Sequence, residues 1–154
     1  MKRFWKILFL ILFLGFIGVQ FFPVEKNSGE LFSETDLIQA TTIPPDLGEK
    51  IMTSCYDCHS NSTKYPWYGY VAPVSWMIYD HVTMGKEKVN FSIWGSYTKS
   101  GQVSLLFDMC KEIAEETMPL PGYQKLHPES VFNNDEMFNI CVWTEEETIR
   151  LMGN

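Results

Sequence analysis

The sequence predicts an all-α fold, and three observations carry that prediction. Apolar residues recur at helical spacing in several separate windows of the chain. Most proline, glycine and asparagine residues stand between those windows rather than inside them. No β–α alternation surrounds any of them. The 154 residues, 45% of them apolar, suit one small domain with a packed core and some additional chain.

The first element is the run Phe4–Phe22, apolar except for Lys6 and Gln20. As a helix it spans roughly 28 Å, close to the hydrocarbon thickness of a bilayer, about 30 Å. Every face is apolar, unlike a surface helix packed on a core. Lys2, Arg3 and Lys6 stand at its start and no acid precedes residue 23. The positive-inside rule then keeps the start in the cytoplasm and exports the rest. A signal peptidase wants small residues two positions apart, but Phe16 precedes Gly18 and Phe13 precedes Gly15 at that spacing. Residues 1–23 are therefore expected to be a retained anchor rather than a cleaved signal peptide. The expected address is a bacterial inner membrane, crossed once through residues 4–22, with the domain in the periplasm.

Residues 24–42 read as a polar tether, and 43–154 as the domain. Ile43-Pro44-Pro45 closes the tether, and a helix starts near Pro45 or Asp46, where proline is tolerated in the first turn. It runs through Leu47, Ile51 and Met52 to about Cys55. Asn61, Pro66, Gly69 and Pro73 make residues 60–75 mostly loop. Val74–Thr83 reads as a helix ending near Gly85, and Asn90–Tyr97 is ambiguous. A third domain helix runs from Ser100 or Gly101 to Thr117, with Val103, Leu106, Phe107, Cys110 and Ile113 or Ala114 on one face. Met118-Pro119-Leu120-Pro121-Gly122 breaks it. Asn133 or Asn134 caps a final helix, in which Met137, Ile140, Cys141 and Ile149 are among the apolar positions.

The net charge is −7, and the chain beyond residue 23 is more acidic still, with nine basic against nineteen acidic residues. Such a surface repels phosphate backbones, which argues against nucleic acid as a partner. Export places the cysteines in an oxidising compartment, where they tend to be paired or modified.

Cys55-Tyr56-Asp57-Cys58-His59 carries the chemistry. Cys-x-x-Cys-His is the attachment signature of c-type haem. Two intervening residues let one turn present both thiols to the vinyl groups on one side of a porphyrin. The adjacent His59 then swings beneath the ring as proximal iron ligand, its other nitrogen held by a carbonyl. Pro66 and Pro73 offer candidate carbonyls. A thioredoxin-like pair would need an α/β surround, and half a zinc site would need a second ligand pair; neither is visible. Aromatic residues crowd positions 65–97, where they can fill a core or wall a large flat ligand. Met118, in a strap stiffened by Pro119 and Pro121, is the favoured ligand opposite His59. Its rivals are His81, at the end of a predicted helix, and His127, expected in an exposed loop. Met77, Met84 and Met109 lack the rigid flank and read as packing residues. Cys110 and Cys141 lie on apolar helix faces, either as a disulfide or as two buried thiols.

Several ordered motifs together resemble a known family. They are Cys55-Tyr56-Asp57-Cys58-His59-Ser60-Asn61, Pro66-Trp67-Tyr68, Ala72-Pro73-Val74-Ser75-Trp76, His81-Val82, Asn90-Phe91-Ser92-x-Trp94 and Met118-Pro119. This pattern is similar to the haem-binding domain family of single-haem, cytochrome-c-like proteins common in Bacteroidota. The resemblance implies an all-helical cytochrome-c-like domain around one covalent haem c per chain. It implies thioethers at Cys55 and Cys58 and iron bound by His59 and Met118. The aromatic insertion is larger than in short cytochromes, and Trp67, Tyr68, Trp76 and Trp94 are candidate pocket walls. The expected function is a non-enzymatic, membrane-anchored single-electron carrier serving a periplasmic redox partner protein. The alternatives are a haem-based sensor or ligand-binding module and, less favoured, a peroxidase using His81 or Asp80.

Overall fold

The structure is a computed structural model that describes residues 1–30 and 32–153. Its helices are α1 (Lys2–Val19), α2 (Leu37–Ala40), α3 (Pro45–His59), α4 (Val74–Lys88), α5 (Lys99–Ala114), α6 (Pro121–Gln124) and α7 (Asn134–Met152). Single 3-10 segments occupy Trp67–Tyr70, Phe91–Ser96 and Pro128–Ser130. Among the described residues there is no strand, only an isolated antiparallel bridge between Ser28 and Ser62. The all-α expectation holds.

Local chemistry sets the helix ends. Pro45 opens α3 with its fixed φ, and Asp46 places a negative charge in the positive first turn. The Thr98 side chain accepts from the Gly101 N–H to cap α5. Asn133 and Glu136 form a reciprocal capping box at the start of α7. The ambiguous stretch around 90–97 resolves as a 3-10 segment whose start is capped by Asn90.

The core lies where α3, α5 and α7 meet. Ile51, Leu106 and Ile140 are wholly buried there, joined by Phe91, Trp94, Ile113 and Trp143. Cys110 of α5 and Cys141 of α7 form a disulfide with a Cα separation of 4.9 Å, which decides between the two readings open in the sequence. The bond staples two helices that already pack along each other.

The N-terminal segment departs from expectation. Helix α1 takes in Lys2, Arg3 and Lys6 and stops at Val19, with Phe21 and Phe22 beyond it. Its uninterrupted apolar part, residues 7–19, spans only about 20 Å. Among the described residues, no helix is long and apolar enough to cross a membrane. No α1 residue is buried against the domain.

Residues 24–42 also pack more closely than a loose tether. Leu37 and Asp36 are wholly buried, and Asp36 accepts from the Tyr56 hydroxyl at 2.7 Å. The Asn27 amide donates to the Ser60 carbonyl at 2.8 Å and to Thr63 Oγ1 at 2.9 Å, while Lys86 donates to Asn27 Oδ1. These partners are distant in sequence, so periodicity carried no sign of them.

Two domain helices run longer than their sequence signals. Helix α3 continues to His59, and α4 passes through Gly85 to Lys88. Gly85 ends nothing; it lets α4 lie against the end of α3. A Cβ at Gly85 would stand 2.6 Å from the Cys58 carbonyl oxygen. Gly85→Ala gains about 1 kcal/mol of helix propensity. It also forces α4 from an unyielding backbone, an overpacking cost of about 1–3 kcal/mol. The clash outweighs the gain. Thermal unfolding is expected to shift downward, and haem incorporation per chain to fall with it.

Candidate functional site

The last turn of α3 presents Cys55, Cys58 and His59 on adjoining positions, all three half-buried. Residues three and four apart on a helix are neighbours on one face, so a single turn gathers both thiols and the imidazole. Cys55 and Cys58 are free thiols. Burial pushes the Cys55 thiol up to about 12, with the adjacent Cys58 adding to it. Cys58 is raised to about 11 by burial and by the Asp57 carboxylate. Both are therefore protonated at neutral pH.

His59 Nδ1 lies 3.2 Å from the Val89 carbonyl oxygen. A carbonyl only accepts, so Nδ1 carries the hydrogen and Nε2 keeps its lone pair. Burial lowers the imidazole pKa, partly offset by the Val89 and Gly85 carbonyls, so the ring is held neutral. The expectation of a Pro66 or Pro73 carbonyl is corrected: the chain reaches this position from the end of α4, thirty residues after His59. The ring also lies against Phe91, with centroids 5.8 Å apart.

A polar lattice fixes the Val89 carbonyl relative to α3. Asn90 Nδ2 donates to Asn61 Oδ1 at 2.9 Å, and the Asn61 N–H donates to Ser92 Oγ at 3.0 Å. Ser92 N–H donates to Asn90 Oδ1, and the Asn90 N–H donates to the Tyr97 hydroxyl. Asn90 and Ser92 are buried. Reading the motifs for ligands alone missed Asn61, Asn90 and Ser92 as positioning residues, although they stand inside the quoted Cys-His-Ser-Asn and Asn-Phe-Ser stretches.

The other expected residues are placed as follows. Met118 is half-buried just past α5, its N–H donates to the Glu112 carbonyl, and a cis peptide joins it to the buried Pro119. Gln124 Nε2 donates to the Pro119 carbonyl at 2.7 Å, which ties the strap to α6. His81 is half-buried on α4 and Asp80 is exposed. His127 is not the exposed loop residue expected. It stacks on Tyr123 at 4.2 Å, its Nε2 is 3.0 Å from the Tyr68 hydroxyl, and its Nδ1 is 3.2 Å from Glu129. With both ring nitrogens engaged, it offers no lone pair to an iron.

The four aromatic candidates do not gather into one wall. Trp67 is 80% exposed, whereas Trp94 is 1% exposed within the core. Tyr68 meets His127, and the Trp76 indole donates to the Phe22 carbonyl at 2.9 Å. Beside the motif, a cavity of about 410 Å³ is lined by Met52, Tyr56, Asp57, Tyr123, His127 and Glu129, among others. There the Tyr123 hydroxyl donates to Asp57 Oδ2 at 2.8 Å. Among the described residues no group of three or more His, Cys, Asp and Glu side chains is arranged to hold a bare metal ion.

The donor set fits a haem. Two uncommitted thiols and a neutral, anchored imidazole share one helical turn, next to the half-buried apolar side chains of Met52 and Val89. Such an all-helical domain with such a turn is a haem-binding protein. The family described as "Haem-binding domain" matches residues 14–146, and the chain belongs to that family. No curated protein and no solved structure is similar enough to the chain to match it.

Proposed function

We propose that this protein is a c-type, single-electron carrier. In this reading Cys55 and Cys58 would hold one haem by thioether bonds, and His59 Nε2 and the Met118 sulfur would be the ligands of its iron. The observation that carries the reading is the Nδ1–Val89 hydrogen bond, which leaves Nε2 of a neutral imidazole as the only uncommitted ring nitrogen. The haem supplies one-electron chemistry at its iron; the chain supplies ligands, burial and an exposed edge. His59 stays fixed because the Asn61–Asn90–Ser92 lattice and the α3–α4 contact hold its acceptor. Two protein ligands leave no open position, which favours electron transfer to a redox partner protein over peroxidase chemistry.

The same reading places the domain in the periplasm, held at a bacterial inner membrane by residues 1–23. Support comes from α1, whose apolar side chains face outward, and from the Cys110–Cys141 disulfide, which suits an oxidising compartment.

Met118→Ala tests the ligand set. The oxidised native protein is expected to be low-spin and to show the weak red absorption band of methionine sulfur on ferric haem. The variant is expected to lose that band and turn high-spin, while keeping its haem on both thiols. A high-spin native spectrum sinks the carrier reading and favours a sensor or an enzyme with an open site; a band that survives Met118→Ala places the sulfur elsewhere.

A further inference from the structure

The loop between Tyr65 and Trp76 is tied to the chain that follows the apolar N-terminal helix. Gln20, the residue following α1, makes a reciprocal pair with Ala72: its Oε1 accepts from the Ala72 N–H at 3.0 Å and its Nε2 donates to the Ala72 carbonyl at 3.0 Å. The Trp76 indole donates to the Phe22 carbonyl. Lys26 Nζ donates to the Gly69 carbonyl and lies 4.3 Å from the Tyr65 ring centroid and 4.5 Å from that of Tyr70. Three contacts, at Gln20, Phe22 and Lys26, thus tie the segment that follows α1 to this loop.

The side chains left outside at this junction are large and apolar or amphipathic. Phe21 is 79% exposed, Phe22 70%, Trp67 80%, Tyr70 64% and Met77 53%. Exposed apolar patches, as opposed to single exposed side chains, mark sites of interaction with proteins or membranes. Tryptophan and tyrosine, each with an apolar body and a polar tip, favour the headgroup layer of a bilayer, and a lysine nearby can reach into the same layer.

From this continuity we infer that the Trp67–Tyr70 edge docks on the lipid headgroup surface and orients the haem domain on the membrane. The inference rests on the reading that α1 lies in lipid. It adds that the domain does not swing on a leash, because Gln20 and Trp76 couple the domain's attitude to the helix. The occupant is a lipid surface because the edge begins where an exposed apolar helix ends, and no charge complementarity is required of a zwitterionic bilayer.

The full-length haem-loaded protein, labelled with fluorotryptophan and reduced, is placed in phosphatidylcholine vesicles carrying headgroup nitroxide lipids. Fluorine resonances then report five tryptophans, one in α1, two at the edge and two in the core. Broadening is expected at Trp5, Trp67 and Trp76, and none at Trp94 or Trp143. In Gln20→Ala, Trp5 is expected to stay broadened while the effect on Trp67 falls toward the level of Trp94. A broadened Trp5 beside an unbroadened Trp67 overturns the docking and leaves membrane anchoring standing. An unbroadened Trp67 whose resonance moves with protein concentration gives the edge to a second copy of this chain, which also overturns it. No broadening at Trp5 or Trp67 shows that α1 is not in lipid, and both readings fall.

Discussion

Replacing Cys55 and Cys58 together with serine is expected to convert all of the haem from acid-acetone-resistant to extractable. A serine hydroxyl forms no thioether, so only the iron ligands remain to hold the group, and acid protonates the imidazole that provides one of them. The effect is close to all-or-none. The fold is expected to survive, because both positions are half-buried and a hydroxyl there costs about 1–3 kcal/mol at most. Helical circular dichroism checks survival, and a pyridine haemochrome assay on pellet and supernatant reads attachment. Each single serine variant is expected to retain its haem through one bond, which keeps the test open should the double variant fold poorly. Haem that extracts from the native protein refutes covalent attachment and leaves only a non-covalent haem-binding protein.

Opening the Cys110–Cys141 disulfide is expected to cause a large loss of stability. The two residues are 31 apart, and closing a loop of that length removes unfolded-state entropy worth about 3–4 kcal/mol. With a urea dependence of about 1.5–2 kcal/mol per molar for a domain of this size, Cys110→Ser/Cys141→Ser should lower the unfolding midpoint by roughly 2 M. The closed loop contains Met118, Pro119 and α6, so the same variant should weaken whatever Met118 holds. The expected sign is a red absorption band lost at lower urea than global unfolding. A midpoint that moves by less than about 0.5 M would mean that α5–α7 packing carries the helix pair without the bond.

Much of the domain was legible because it is written locally. The Asn133 cap and the opening of α3 at Pro45 follow from residues within a turn of one another; the break after α5 comes earlier than the sequence marks it, since α5 stops at Ala114 rather than Thr117 and Pro121 and Gly122 belong to α6. Gly85 misled because a glycine near a helix end usually closes it, whereas here its missing Cβ admits the Cys58 carbonyl, a contact with no local signature. His127 misled for a related reason: Pro128 marks a loop, but the ring is held by Tyr68, Tyr123 and Glu129, which the fold brings from three segments. The tether misled because its polar residues are bonding groups. Asn27, Asp36 and Lys26 find partners between twenty and about sixty residues away, and polarity alone does not separate a solvated side chain from a bonded one.

The sequence by itself put two thiols and an imidazole within five positions, Cys55–His59; the continuation of α3 to His59 set them on one helical turn. The sequence also determined the all-α class, because a helix is built from contacts within four residues. Only the tertiary structure decided that Val89 pins His59, that Cys110 meets Cys141, that Gln20 just past α1 meets Ala72, and that the aromatic stretch divides between core and surface. Each of those is a meeting of residues tens of positions apart. Such meetings depend on how helices cross, and no single window of the chain encodes a crossing.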